Sequence, residues 1–413
     1  MVPRRPEAGP GETALGSATA ARSAGERPGR RWVIPPAGVL LTITSGHLVH
    51  DVYSSFLALL LPLLITKFSL SMLLAGGLTL FFRLPFFLTP LLGVWAEGRD
   101  LSLAFALTPA GIALSMCLLG LPPSYLGLGL LLLAGGVAAC LCHLAGPVIV
   151  ANLSGSRLGR GMAWWMTAGE VARTLGPLAA VAALEGFGLP GLWPLALPGV
   201  LVTVALIWLS PSFRAVRPPG ERPAAAGGWR ELLPLAWPVF LLVWARTLVV
   251  STLVNYLPTY LVGRGEPLWF GGVALTLLEG AGVLGTLGGG QLSDRWGRRP
   301  VLAFSLVVPP ALVLALVHLP AAWAPAVLIL LGLAAFSTAP VTMAVVQESL
   351  PSRRSAANGL YMGVSFSLTA LVLLAVGWAV DHWGFDATLT VGAVVSWTGL
   401  AALPLIPRRP AAA

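Results

Sequence analysis

The sequence predicts an all-α membrane protein, with twelve transmembrane helices arranged as two pseudo-symmetric six-helix bundles. Three observations lead there. The chain is 56% hydrophobic and only 10% charged, with a mean hydropathy of +0.85. A soluble domain carries about 25% charged residues and could not hide this much apolar surface. Apolar runs long enough to cross a bilayer, about 20 residues each, recur along the whole chain. A basic hairpin, finally, occurs twice. Gly290-Gln-Leu-Ser-Asp294-Arg295-Trp-Gly297-Arg298-Arg299 lies between the apolar runs Leu268–Gly289 and Val301–Leu319. A fainter copy, Gly93-Val-Trp-Ala-Glu97-Gly-Arg99-Asp100, lies between two earlier runs. Each copy leads into Leu-Ala-Phe, and the two sit nearly half a chain apart. Such self-similarity marks a duplicated architecture.

Residues 1–33 are rich in Pro, Gly, Ala, Arg and Glu. They cannot bury enough apolar surface to order themselves and are expected to be a disordered cytoplasmic tail. They contain no short apolar stretch with a cleavage site, so a secretory signal is not expected. An N-terminal bundle, 34–210, follows with spans Ala37–Ile65, Met72–Ala96, Leu101–Leu119, Ser124–Val150, Gly161–Leu184 and Leu192–Ser210. Residues 211–231, again rich in Pro, Arg, Gly and Ala, form a cytoplasmic linker. The C-terminal bundle, 232–407, holds Leu233–Val262, Leu268–Leu292, Val301–Leu319, Ala321–Glu348, Ala356–Val380 and Ala387–Ile406, and 408–413 is a cytoplasmic tail. The halves echo each other beyond the hairpin. Ala145-Gly-Pro147 in span four answers Ala339-Pro340 in span ten, Ser156-Arg157 answers Ser352-Arg353, and Gly161 answers Gly359.

Orientation follows from the arginines. With the N-terminus inside, Arg99, Arg157, Arg160, Arg230, Arg295, Arg298, Arg299, Arg353 and Arg354 all fall on inner segments, and the outer loops keep only Lys67 and Arg264. That bias requires an even number of spans and places both termini in the cytoplasm, as expected for a multi-pass inner-membrane protein. The pI near 10.5 therefore reflects topology, and no nucleic-acid partner is expected. Cys117, Cys140 and Cys142 are too few for a disulfide framework. On a helix, Cys140, Cys142 and His143 fan around the axis without a fourth ligand, so no metal and no cofactor are expected. Trp164 and Trp165 are expected as interface anchors. Gly280, Gly282, Gly285 and Gly288–Gly290 are expected as close-packing positions.

These motifs resemble the major facilitator superfamily over nearly everything after the N-terminal tail. The Gly290–Arg299 loop is the most specific match; in its first-half copy Glu97 stands where Asp is usual. A closer resemblance is to the fosmidomycin-resistance exporters and related drug transporters. It is carried by His47-Leu-Val-His50-Asp51-Val-Tyr53 with Leu61-Pro62, by Tyr256-Leu-Pro258-Thr-Tyr260, and by Leu175-Gly176-Pro177-Leu178 in span five. Ala172 replaces the glycine usual before that Gly-Pro pair, and span four offers His143 where proton-linked exporters often carry arginine. The resemblance implies a major facilitator fold, a substrate site between the halves, alternating access, and a monomeric carrier of small molecules.

Charges inside a bilayer are expensive, about 2.5–3.5 kcal/mol each at the centre on insertion scales. The spans nevertheless contain Asp51, Arg83, Glu170, Arg173, Arg246 and Glu279. Four residues are expected to carry coupling protons: Asp51, His47, Glu170 and Glu279. Asp51 and His47 are four apart and share a helix face; the alternative is a polar patch that packs span one. His50 points elsewhere on an ideal helix. Glu170 and Arg173, three apart, are either a proton site or a satisfied internal pair. Five residues are expected to meet substrate: Arg83, Arg173, Arg246, His143 and Tyr256. Arg83 and Arg246 come from different halves, and a guanidinium fork suits an anion; alternatively they neutralise Asp51 or Glu279. The gating motif comprises Gly290, Asp294, Arg295, Gly297, Arg298 and Glu97; a carboxylate there suits the positive end of a helix, and the resemblance implies that Asp294 holds the start of span five near Arg160-Gly161. The same hairpin also serves as a topology signal.

The expected activity is secondary active transport driven by protons, in the direction of efflux, of a small amphipathic or anionic compound across the lipid bilayer. Uptake of an organic anion or nutrient by symport is the alternative. A membrane-embedded enzyme is disfavoured, because there is no Ser/His dyad at helical spacing, no His-Glu-x-x-His and no acidic cluster. No Gly-x-x-x-x-Gly-Lys loop is present for ATP-driven pumping.

Overall fold

The computed structural model describes residues 36–89, 91–92, 99–154, 158–213, 233–349 and 354–406. The expected tails, and the linker from 214 onward, lie outside these. Every regular element among the described residues is a helix, as a lipid-facing chain requires, because only a helix satisfies its backbone polar groups within one segment.

Among the described residues these helices make twelve spans. Span one is Pro36–Ser54 continued by Phe56–Phe68, and span two is Met72–Arg83 continued by Leu84–Leu88. Spans three to five are Ser102–Cys117, Tyr125–Ser154 and Leu158–Phe187. Span six joins Pro190–Ala196 to Leu197–Leu209. Span seven runs Leu233–Arg246, Thr247–Ser251 and Thr252–Gly263. Spans eight and nine are Leu268–Trp296 and Arg298–His318, and span ten is Ala324–Ala335 with Thr338–Ser349. The helical run Arg354–Ser396 turns at Gly384 (φ 77°, ψ 169°), which divides span eleven from span twelve, and the latter ends with Trp397–Leu405.

By length and apolarity alone, eight described helices could cross a membrane. The rest have physical explanations. The stretch Leu360–Leu405 is two spans joined at Gly384, while Met72–Leu88 and Ser102–Cys117 are shorter apolar helices. Span five carries Arg160, Glu170, Arg173 and Glu185 within its length. Gly384 and Gly188 (φ 63°) both turn the chain with a positive φ, which glycine adopts without steric cost. They occupy equivalent places, after spans eleven and five.

The core shows how the halves meet. The chain enters span one and leaves span twelve on the same face, here the terminal face. On the opposite, far face one apolar cluster draws on both halves: Leu57, Leu60, Leu64 and Leu78 pack with Tyr256, Leu373, Val376 and Val380. Towards the terminal face the clusters separate. Val39, Ile43, Phe105, Ile149 and Leu206 belong to one cluster of the first half alone. Leu241, Leu302, Leu306 and Val341, and also Val239, Val346 and Leu368, belong to clusters of the second half alone. Among the described residues the buried apolar packing between the lobes therefore concentrates towards the far face and reaches as far as Phe86 and Phe366, whose rings stand 4.5 Å apart.

In lipid, apolar contact between helices gains little by itself, and close backbone approach matters more. The far seal is built that way. A Cβ on Gly76 of span two would lie 2.9 Å from the Leu373 carbonyl oxygen of span eleven. Gly377 of span eleven abuts the Met72 backbone in return. Asp381 then caps span two from the other half, its two carboxylate oxygens accepting the Met72 N–H at 2.7 Å and the Leu73 N–H at 2.8 Å. First-turn amides have no partner within their own helix and carry the positive end of the helix dipole. Asp381→Asn removes the charge and one strong acceptor, a loss of about 1–3 kcal/mol from the sealed state. Spin labels at Ser124 and Glu266, across the far face, should then show a new, longer distance population; an unchanged distribution would mean that Asp381 does not hold the seal.

Candidate functional site

Asp51 sits on span one, 3% exposed, with His47 one turn before it. The His47 Nε2 lies 3.3 Å from Asp51 Oδ2. On the other side of the imidazole, His47 Nδ1 is 3.1 Å from the carbonyl oxygen of Trp165 on span five. A carbonyl only accepts, so Nδ1 carries the hydrogen of the neutral ring and donates it there. The Nε2 lone pair then faces a carboxylate oxygen, and no hydrogen bond satisfies that buried nitrogen. This gap has room for one shared proton. Trp165 also stacks on the His47 ring, centroids 3.6 Å apart and 2° from parallel. It is 3% exposed, so it is a packing partner of the site and not an interface anchor; its neighbour Trp164 stays exposed. Gly169 makes the approach of span five possible, because a Cβ there would stand 3.0 Å from His47 Cε1 and 3.1 Å from Asp51 Oδ2.

His50 also joins the site, against the sequence-based expectation. Its Nδ1 lies 2.9 Å from Asp51 Oδ1. Consecutive residues diverge by about 100° on a helix, yet the short Asp51 side chain leans back far enough to meet it. His143 of span four stands 3.6 Å from the same oxygen. Three imidazoles thus surround one carboxylate. The ligating atoms of His47, Asp51 and His143 fall within 4.8 Å of one another, a spacing that would admit a metal ion. The Arg173 guanidinium, 3.9 Å from Asp51 Oδ2, already supplies positive charge at that point.

Arg173 links the halves. It forms an ion pair with Glu170 on its own span and approaches Glu279 Oε2 of span eight to 3.7 Å. Three carboxylates share one guanidinium. Asp51 and Glu279 are buried, at 4% and 5% side-chain exposure, whereas Arg173 and His143 are 38% and 37% exposed. The heads of Arg173 and His143 are therefore accessible to solvent, with the Asp51 and Glu279 carboxylates buried behind them, as intramembrane charges require. Beside them, spans five and eight pack closely: Thr276 Oγ1 donates to the Thr174 carbonyl at 2.9 Å, and Gly280 lies against Thr174.

Arg83 ends the first segment of span two, and Arg246 precedes the π-helical turn Thr247–Ser251 of span seven. Their Nε atoms are buried and unsatisfied. The charged group acting on Arg83 is Arg246, and Glu279 acts on Arg246 from beyond ion-pair distance. Neutralisation of Asp51 by Arg83, one of the two sequence-based readings, is not what the geometry shows. Tyr256 is 1% exposed and donates its hydroxyl to the Leu373 carbonyl at 2.8 Å. It belongs to the far seal and not to the crevice wall.

The basic hairpin closes span eight onto span nine through Gly297, at φ 92°. Arg298 pairs with Asp294 at 2.8 Å and with Glu348 of span ten at 2.6 Å, and donates to Ser293 Oγ at 2.5 Å. Arg299 donates to the Ile406 carbonyl at 2.7 Å, tying the hairpin to the end of span twelve. Arg295 is exposed, and nothing stands within 4 Å of a Cβ on Gly290. The close-packing role expected of the span-eight glycines holds at Gly282, Gly285 and Gly289, which abut Phe336, the Leu333 carbonyl and Ser337. Gly288 and Gly290 face open space. Glu97 and residues 155–157, just before the expected partner of Asp294, lie outside the described residues.

A model of the Major Facilitator Superfamily matches residues 43–372. The fosmidomycin resistance protein of Escherichia coli (strain K12) is 24% identical over 373 residues, which covers 88% of this chain and 91% of that protein. Among solved structures, a bacterial homolog of the human lysosomal transporter Spinster, in an inward-facing and occupied conformation, superposes with a TM-score of 0.71 at 16% identity, covering 92% of this chain and 97% of that one. A D-xylose-proton symporter gives a TM-score of 0.68 at 16% identity, covering 87% and 97%.

Proposed function

Because the chain belongs to the major facilitator superfamily and is a multi-pass membrane transporter rather than an enzyme, we propose that it exports a small amphipathic or anionic compound in exchange for protons, by alternating access. The likeness to a fosmidomycin resistance protein supports the outward direction. The positions of the arginines support an inner-membrane orientation with the terminal face in the cytoplasm. In that orientation the closely packed far face looks outward.

The observation that carries proton coupling is the His47–Asp51 pair. The Trp165 carbonyl holds one imidazole hydrogen, and the second nitrogen faces the carboxylate across 3.3 Å. A proton loaded there while the crevice faces outward neutralises Asp51 and frees Arg173 to turn towards Glu170 and Glu279. When the lobes rock and the crevice faces inward, the proton leaves and Arg173 returns. Substrate entering from the cytoplasm meets the exposed heads of Arg173 and His143 and carries the emptied site outward. Glu279 contributes from the second half, so the state of one lobe is felt by the other. The hairpin of Gly290, Asp294, Arg295, Gly297 and Arg298 acts as the inner gate, breaking and reforming contacts as the lobes part.

The test is a thermal-shift ligand screen followed by flux in proteoliposomes under an imposed pH gradient. Outward export in exchange for inward protons is the expected result. Co-transport of substrate with protons would establish symport, which would use the same proton site with the opposite coupling sign.

A further inference from the structure

We propose that His47, Asp51 and His143 form a binding site for a divalent transition-metal cation of the zinc type, built inside the first half where spans one, four and five meet. The site stands on the geometry of these residues and is independent of the substrate and of the direction of transport.

His47 Nε2 stands 3.3 Å from Asp51 Oδ2, and His143 Nε2 stands 3.6 Å from Asp51 Oδ1. A charge-assisted hydrogen bond would draw such pairs in to about 2.7–2.9 Å. Donors that share one tetrahedral zinc ion, each about 2.0–2.2 Å from the metal, stand about 3.4 Å apart. The observed separations fit shared donors better than direct bonds. The ligating atoms of all three residues fall within 4.8 Å of one another, and His143, 37% exposed, has room to close the widest gap. His47 and Asp51 lie four apart on one helix, the spacing at which helical zinc motifs present two ligands from one face. His143 completes the set from span four.

The supports of a metal site are also in place. The Trp165 carbonyl accepts the His47 Nδ1 hydrogen at 3.1 Å, which leaves the Nε2 lone pair free to ligate. A carbonyl or carboxylate behind the imidazole is the usual device for aiming a metal-binding histidine. That Nε2 is buried without a hydrogen-bond partner, in a residue only 3% exposed. His50 Nδ1 donates to Asp51 Oδ1 at 2.9 Å and so steadies the carboxylate from the side. A Cβ at Gly169 would stand 3.1 Å from Asp51 Oδ2, so glycine keeps that wall of the site clear. The exposed side of His143 leaves a fourth position for water and a way in for the ion.

The charge balance favours a divalent cation. Three carboxylates, Asp51, Glu170 and Glu279, share one guanidinium within ion-pair distance, that of Arg173. With neutral imidazoles this leaves a formal surplus of two negative charges, and Arg246 acts on Glu279 only from beyond that distance. Arg173, 3.9 Å from Asp51 Oδ2, opposes a metal there, yet it keeps Glu170 and Glu279 as partners when the ion takes Asp51. Two imidazole nitrogens and one carboxylate suit zinc, nickel or cobalt, whereas magnesium and calcium call for oxygen ligands. The sequence-based expectation of no metal weighed Cys140, Cys142 and His143 along one helix; the site instead joins two helices. Metal and the shared proton of the His47–Asp51 gap exclude each other, because both use the same lone pair.

The test uses the full-length, tag-free protein in lipid nanodiscs, with Zn²⁺ and Co²⁺ as probes. Calorimetry should find one Zn²⁺ per chain, which Mg²⁺ in large excess does not displace. Bound Co²⁺ should show the visible bands of a nitrogen and oxygen site, without the sulfur charge-transfer band that Cys140 or Cys142 would add. His47→Gln and His143→Gln should each weaken Zn²⁺ binding by at least about 10- to 100-fold, since even loss of a supporting residue costs that much. His382→Gln, at the far face, should leave binding unchanged. His143→Gln alters an exposed side chain, so its thermal midpoint in EDTA should equal that of the wild type; it decides the matter alone if His47→Gln does not fold. Absence of Zn²⁺ binding in the wild type, a sulfur band with Co²⁺, or wild-type Zn²⁺ affinity in His143→Gln would overturn the proposal. None of these readouts uses transport, so the metal site and the coupling of flux to protons stand or fall separately.

Discussion

Asp51→Asn should insert and fold normally, yet lose nearly all coupling of transport to a pH gradient. The amide keeps the size of the side chain but cannot take up and release a proton in the pH range of the cell. His50 would keep a carbonyl oxygen as acceptor and the new amide N–H could donate to the His47 Nε2 lone pair, so packing around span one should survive. Driven transport should fall by at least about 100-fold, in line with the loss of an essential proton-transfer group. Proteoliposome flux with and without the gradient reads this directly. Driven flux equal to the wild type would remove Asp51 from the mechanism, and a protein that failed to insert would show a structural role instead.

The second large effect is expected at Arg173. It is the guanidinium that Asp51, Glu170 and Glu279 share. Arg173→Gln leaves three carboxylates facing one another. Breaking a fully buried pair costs about 3–5 kcal/mol, and the cost here should be nearer 1–3 kcal/mol because Arg173 is 38% exposed to solvent. The variant should melt at a lower temperature and lose coupled flux. Arg173→Gln combined with Glu279→Gln should regain much of the stability, since the carboxylate left without a partner has gone. Neighbours that share one network do not act additively. Strictly additive losses in the thermal midpoint would show that the two residues do not interact.

Much of the architecture was legible in the chain because a bilayer imposes a simple code. Length, apolarity and the placement of arginine specify spans one after another, and the repeated hairpin reveals the duplication. What escaped is what depends on the third dimension. Span five could be recognised by the balance of its Glu170–Arg173 pair, but nothing in the sequence says that Arg173 also reaches Asp51 and Glu279. His50 looked misplaced on an ideal helix, and only the lean of Asp51 brings the two together. Trp165 looked like an interface residue because tryptophan is enriched there, whereas its ring covers His47. Tyr256 sits in a conspicuous Tyr-Leu-Pro-Thr-Tyr motif, yet it serves the far seal. Asp381 gave no local signal at all: its partners, the first amides of span two, are more than three hundred residues away in the chain. Glu348 was hidden for the same reason, being joined to Arg298 only by the packing of spans nine and ten.

The central claim is that a wet, charged crevice is closed alternately at either face. A single cysteine in place of His143, in a chain without native cysteines, tests it most directly, because this side chain is exposed at mid-depth between the lobes. A membrane-impermeant thiol reagent should label it from the terminal face of reconstituted vesicles and not from the far face. When Asp381→Asn is added, labelling from the far face should appear. A cysteine that reacts from neither side would mean a dry interior, and one that reacts equally from both sides without the second substitution would mean an open pore; either result would contradict the account.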